Sequence, residues 1–299
     1  MDYSRIEKAV DVQHLHQTTI VVVGAGGSYS LVTSFARMGI GKIIVLDFDT
    51  VEASNIVRQG YEQADIGKYK VDALGETVKR INPTTKYRGI TKNFHDMSDE
   101  ELDEIFKNAD LLCFLTDSFN AQAYGNILAL KYNIPAIWAG FYAKSRTLEL
   151  FFQIPKVTPA CFRCCASSRY IDNKDEEVKV SSNCNTIFHS ELLDGFIGFI
   201  ALAILHRHHS VNDSEEPLEF AQFFNEMKNE NGCIDYNFFQ FKVHPQGGNR
   251  FFDNAYKDLG MNAHNFVSYW QKAEAEIVEN GYDYNCPDCN GKLHKLVAV

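Results

Sequence analysis

Along the first half of the chain, short apolar runs alternate with stretches of helical period. Ile20-Val21-Val22-Val23 is uninterrupted, as in a strand buried on both faces, and it runs into Gly24-Ala25-Gly26-Gly27. The spacing then predicts a helix over Ser30–Met38 closed by Gly39, and a second buried strand over Ile43–Leu46 that ends in Asp47. Lys70 to Ile81 places Val71, Leu74, Val78 and Ile81 on one helical face and stops at Asn82-Pro83. Tyr87–Ile90 reads as a strand, and Ser98–Ala109 as a helix opened by a capping box of Ser98 and Glu101. Asp110–Thr116 is a buried strand, Asn120–Tyr132 a helix and Pro135–Ala139 a strand. Strands and helices alternating at this pitch predict an α/β fold: a Rossmann-like, mostly parallel sheet with helices on both faces.

The texture then changes. Thr147–Ile154 alternates as an antiparallel strand would, an extension of the sheet. Ala166–Ser182 is polar and charge-rich and reads as a mobile segment, and Phe188–His206 as a largely apolar helix under the sheet. The run His206-Arg207-His208-His209 reads as that helix's exposed end rather than a metal site. Residues 210–285 are the least regular, acidic near 212–216 and then rich in aromatics. The expected division is a nucleotide-binding core over 1–160, a middle section over 161–209 and an added element over 210–299.

The glycine turn between strand and helix is where a backbone can approach a phosphate closely, and Asp47 lies near the offset at which an acid reaches a ribose hydroxyl. A structural βαβ turn is the other reading, since Tyr29 stands where the dinucleotide fingerprint G-x-G-x-x-G has its third glycine. That tyrosine either narrows the pocket or repacks the helix. Arg58, Lys68 and Lys70 follow the second strand, at the sheet edge where open α/β sheets bind ligands; cations there would neutralise a triphosphate, or simply face solvent. Asp117 ends a buried strand at the same edge, either to hold Mg²⁺ or to cap the next helix. Two CxxC pairs, Cys161/Cys164 and Cys286/Cys289, offer the four thiolates that zinc prefers, a four-cysteine clamp between the middle and the end of the chain. Redox chemistry is the rival, and Cys165 leaves the register of the first pair open by one residue.

Bulk composition narrows the partners. A net charge of −10 argues against general nucleic-acid binding, and no run long and apolar enough to span a bilayer stands out. The charged N-terminus lacks a secretory apolar core, so the cytoplasm is the expected location.

In order along the chain, VVVGAGG, VLDFDTVEASNIVRQ, ADIGKYKV, INP, TDS, CFRC, the neighbourhood of Asn183-Cys184 and CPDC resemble the ThiF/MoeB/HesA-type adenylyltransferases, the family that includes the ubiquitin-activating enzymes. The resemblance implies an enzyme that uses ATP and Mg²⁺ to adenylate the C-terminal glycine of a small ubiquitin-like or sulfur-carrier protein ending in Gly-Gly. By position it implies that Gly24, Gly26 and Gly27 line the phosphate turn, that Asp47 holds the ribose, and that Asp49, Asn55 and Gln59 lie beside the nucleotide. Arg58 and Lys70 would contact phosphates, Asp117 would bind Mg²⁺, and Cys161, Cys164, Cys286 and Cys289 would hold Zn²⁺. Cys184 would accept the acyl group as a thioester, a role that some relatives lack; it precedes a helix whose N-terminus would lower its pKa. Arg5 in YSRI matches the arginine that the family's dimers contribute across the interface, which implies a homodimer. A downstream conjugating enzyme or a sulfur donor is a further partner it implies. The alternatives are adenylation of a peptide or small carboxylate, a catalytically silent binding partner, and an NAD-dependent oxidoreductase.

Overall fold

The computed structural model describes residues 1–142, 147–158, 160–174, 184–209, 217–234, 237–242, 267–271 and 286–289. Its centre is one eight-stranded sheet in the order β3-β2-β1-β4-β5-β6-β7-β8. Strands β1 (Thr19–Val23), β2 (Lys42–Leu46), β3 (Lys86–Ile90), β4 (Leu111–Phe114) and β5 (Ala136–Tyr142) are mutually parallel. From β5 onward the pairing turns antiparallel, through β6 (Thr147–Gln153), β7 (Phe238–Lys242) and β8 (Val267–Gln271). The last two strands come from the stretch with the weakest sequence pattern, and they extend the same sheet.

Alternation along the parallel strands sorts their side chains into two cores. Ile20, Val22, Ile43, Val45, Leu111 and Cys113 face one, while Val21, Val23, Ile44, Leu46, Leu112 and Phe114 face the other. Helices α2 (Tyr29–Met38), α3 (Lys70–Ile81) and α8 (Ile187–Leu205) cover the first face, with α1 (Val12–Gln17) and α9 (Glu219–Glu226) beside α8. Helices α4 (Asp99–Phe106) and α5 (Phe119–Tyr132) cover the second, joined by the short α6 (Phe162–Cys165) and α7 (Ser167–Asp172). The capping box at Ser98 and Glu101 forms as the sequence predicts.

Four expectations change. The strand over Thr147–Gln153 alternates in sequence, yet all seven residues are buried, because both faces are covered; Glu149 is paired with Arg169 at 2.7 Å. The polar stretch opening at Ala166 is not wholly irregular: α7 lies in it, held by Tyr170 edge-on to Phe119 at 4.9 Å. The remainder, 175–183, falls outside the described residues. Among the described residues one helix, α8, is long and apolar enough to cross a membrane (mean hydropathy 1.6), contrary to the sequence reading; half of that span is buried against this protein's own core.

The fourth change concerns the histidines. His206 is completely buried rather than an exposed helix end: its Nε2 accepts the Asp11 N–H at 2.9 Å and its Nδ1 donates to the Leu202 carbonyl at 2.8 Å. His209 Nε2 lies 3.0 Å from the Asp11 carboxylate, so this end of α8 is docked on α1.

Candidate nucleotide site and cysteine cluster

Gly24 begins the turn after β1 with φ +100°, and a Cβ there would sit 2.6 Å from the Leu115 carbonyl oxygen, so only glycine fits. A Cβ on Gly26 would press on Gln59 Nε2 at 3.1 Å, whereas on Gly27 it would meet open space. Asp47, at the end of β2, accepts the Ala25 N–H at 2.7 Å and the Asp49 N–H at 2.9 Å, which ties the turn to the next loop. Burial pushes its carboxyl above the usual range, with Lys70 opposing. Tyr61 braces the turn from below, donating to the Ala25 carbonyl at 2.7 Å.

Tyr29, the break in the fingerprint, does not line the cavity. Its ring packs edge-on against Tyr61 at 4.8 Å and its hydroxyl donates to Thr77 of α3 at 3.1 Å. Room for it comes from Gly60, where a Cβ would lie 2.1 Å from the Tyr29 ring. The tyrosine repacks the helix and leaves the pocket open.

The cavity beside this turn measures about 670 Å³. Gly24, Gly26, Gly27, Asp47, Asp49 and Gln59 line it from the β1 and β2 side. Arg58 and Lys70 line it too, with Asp117 from the end of β4. Lys70 opens α3 almost fully buried, and its ammonium donates to Asp49 Oδ2 at 2.7 Å, so Asp49 aims it. Asp117 is exposed and does not cap α5; Ser118 does, accepting the Ala121 N–H at 3.2 Å.

Four expected site residues stand outside the lining, and of these Lys68 is ion-paired instead with Asp65 at 3.2 Å and Glu76 at 2.8 Å. Asn55 is buried and clamps its own loop, accepting the Glu52 N–H at 3.0 Å. Cys184 is exposed, with φ +74°, just ahead of α8; its neighbour Asn185 lines the cavity. Arg5 is exposed on a segment anchored by Tyr3, whose hydroxyl accepts from Asn82 at 3.3 Å, near the end of α2 remote from the glycine turn. Pocket residues that the sequence reading passed over are Arg169, Asp172 and Asn173 of the polar stretch and Ser190 and Asp194 of α8. Only Asp194 carried a signal, as the one charge between Leu192 and Leu205.

Within the second core, Cys161, Cys164, Cys286 and Cys289 bring four buried sulfurs within 4.8 Å of one another. The pairs measured are 3.6 Å (Cys161–Cys164), 3.8 Å (Cys161–Cys286) and 3.6 Å (Cys164–Cys289). A zinc–sulfur bond of about 2.3 Å sets tetrahedral sulfur–sulfur edges near 3.8 Å, so the set fits a Zn²⁺ ion. The separations are too long for disulfides. Cys165 lies outside the cluster, which fixes the register. Asn126, fully buried, donates to Cys161 Sγ at 3.7 Å and to Asp288 at 2.8 Å, binding the two half-sites together.

Comparison with known proteins follows the same outline. The sequence profile of the ThiF family matches residues 3–243. Over 156 residues the chain is 28% identical to the adenylyltransferase and sulfurtransferase MOCS3 of Caenorhabditis briggsae, covering 51% of this chain and 37% of that protein. It is 28% identical to ubiquitin-like modifier-activating enzyme 5 of Aedes aegypti over 190 residues, covering 59% of this chain and 47% of that one. These matches therefore span less than half the length of the relatives. In structure the chain resembles E. coli MccB solved with ATP, with a TM-score of 0.59 at 17% identity, over 88% of this chain and 65% of that one. PaaA is similar, with a TM-score of 0.57 at 16% identity, over 88% and 75%. At these identities the likeness is one of fold.

Proposed function

We propose, from the premise that this chain belongs to the ThiF family, that it adenylates the C-terminal carboxylate of a small ubiquitin-like or sulfur-carrier protein with ATP and then takes the acyl group onto Cys184. The reading rests on one observation: Arg58, Lys70 and Asp117 meet around the same glycine-lined cavity. Hydride transfer from a nicotinamide has no use for such cations, whereas a triphosphate losing pyrophosphate does.

In this reading the phosphates lie against Gly26 and Gly27, and Asp47 takes the ribose. The carrier's carboxylate oxygen attacks the α-phosphorus, the bond to the bridging oxygen breaks, and pyrophosphate leaves. Arg58 and Lys70 offset the charge that collects on the departing group, with Asp49 holding the Lys70 ammonium in place. Asp117 would hold Mg²⁺, which screens the phosphate oxygens. The Cys184 thiolate then attacks the acyl carbon and AMP leaves, giving a thioester. Arg5 cannot serve its own cavity from the far end of α2, so it would reach that of a second copy in a homodimer. The four cysteines would hold Zn²⁺ as a structural clamp.

The test mixes purified protein, Mg²⁺ and α-labelled ATP with candidate carriers ending in Gly-Gly, beside Lys70→Ala and Cys184→Ala. Adenylated carrier should vanish in Lys70→Ala. Cys184→Ala should retain it while losing a thiol-sensitive enzyme–carrier adduct. Adenylate without adduct in the wild-type chain rejects the role of Cys184, and failure to bind ATP rejects the whole reading.

A further inference from the structure

Asp194 is the one charge in a long apolar stretch of α8, and it is 7% exposed. Its Oδ2 accepts the Leu31 N–H at 2.9 Å, and the Ser30 N–H also bears on it. Both donors belong to the first turn of α2, the helix that leaves the glycine turn. Ser28, at the N-cap position, does not cap; its hydroxyl donates to the Gly24 carbonyl at 2.5 Å instead. The seat that a helix N-terminus offers to an anion is thus partly filled by a carboxylate from another helix.

The same face of α8 makes two more ties. Ser190 Oγ donates to the Arg58 carbonyl at 2.8 Å, and the Ile187 N–H donates to the Val57 carbonyl at 3.1 Å. Positions 187, 190 and 194 lie three and four residues apart, on one side of the helix. Helix α8 therefore grips both halves of the cavity wall that bears on phosphate: α2 with its glycine turn, and the loop of Arg58. Among the described residues Asp194 forms no ion pair; burial pushes its carboxyl up, and the two N–H groups oppose that.

We propose that Asp194 is a positioning residue for the phosphate end of the nucleotide site. By capping α2 from α8 it sets how Gly26 and Gly27 face the cavity, so it governs the hold on phosphates and leaves the nucleoside end alone. This rests on the nucleotide reading above. The cap needs an acceptor oxygen, not a charge, which separates Asp194→Asn from Asp194→Ala.

The experiment measures binding of adenosine, AMP, ADP and ATP with Mg²⁺ by calorimetry to the full chain and to Asp194→Ala and Asp194→Asn. For Asp194→Ala, ATP should weaken about tenfold or more, ADP and AMP progressively less, and adenosine not at all, because unpaired N–H groups disorder only the turn. Asp194→Asn keeps an oxygen for the Leu31 N–H and should stay within about threefold of wild type for every ligand. If Asp194→Ala fails to fold, Asp194→Glu carries the same test: its longer side chain pushes on α2 and must weaken ligands in order of phosphate count. Equal loss across all four ligands, no loss of ATP, or an asparagine variant as weak as alanine each overturn the assignment alone. A wild-type chain that binds none of the four overturns the nucleotide reading and this assignment with it.

Discussion

His206 lets the pH dependence of stability be worked out from geometry. The Asp11 N–H can only donate, so the Nε2 that accepts it carries no proton, and the folded ring is neutral with its proton on Nδ1. Protonation would set a second N–H against the Asp11 N–H. Burial is the largest cause that holds the ring's pKa down, to about 4 from an ordinary 6.5; His209 and His14, with ring centres 5.1 and 5.9 Å away, add to it, and the Leu202 carbonyl and Asp11 oppose it. Between those two pH values the unfolded chain binds the proton and the folded chain does not. Stability therefore rises with pH there: the contribution is complete above pH 6.5 and is lost as pH falls toward 4. At about 1.4 kcal/mol per unit, the loss is at most about 3.5 kcal/mol. Asp11 itself is held below its ordinary value, chiefly by the His14 N–H, so its contribution fades only at lower pH. Urea melts of wild type and His206→Gln from about pH 7.5 to about pH 4.5 read this directly. The variant should be less stable at the upper end of that range, and the gap should narrow as pH falls, with His208 contributing alike to both. Parallel curves across that range would refute the reasoning.

Gly60→Ala should destabilise the chain by about 1–3 kcal/mol, since the new methyl meets the Tyr29 ring, and Tyr29→Ala in the same chain should recover part of it in a double-mutant melt. A metal assay should find about one Zn²⁺ per chain; a strong chelator should lower the melting temperature, and Cys289→Ser should lower it without a chelator. Asn82→Ala should cost about 1–3 kcal/mol in a thermal or urea melt, because its buried amide serves the Ala36 carbonyl at 2.9 Å and the Thr84 N–H at 3.2 Å.

What was legible in the sequence and what was not divides by sequence distance. The parallel strands, the helices between them and the capping box at Ser98 depend on patterns that close within a dozen residues, and they stand where the pattern puts them. The cations of the cavity were legible for the same reason: Arg58 and Lys70 sit on one connection, twelve positions apart, and the chain direction at the end of β2 delivers both to one sheet edge. The fingerprint break at Tyr29 could not be judged locally, since the space for its ring is a missing side chain at Gly60. The histidine run looked like a polar helix end because its partner, Asp11, lies 195 residues before His206. Asp194 was hidden in the same way, its N–H partner being 163 residues off at Leu31. Both partnerships are made by α8 and its C-cap: Ser190 and Asp194 within the apolar helix, and His206 at its end, are each spent on a distant element. A lone polar residue in an otherwise apolar helix is costly to bury unpaired, so it marks a contact even where the partner cannot be named. On that logic Ser190 and Asp194 of α8, with His206 at its C-terminal cap, were the positions to question first, and each proves to hold another segment of the chain in place.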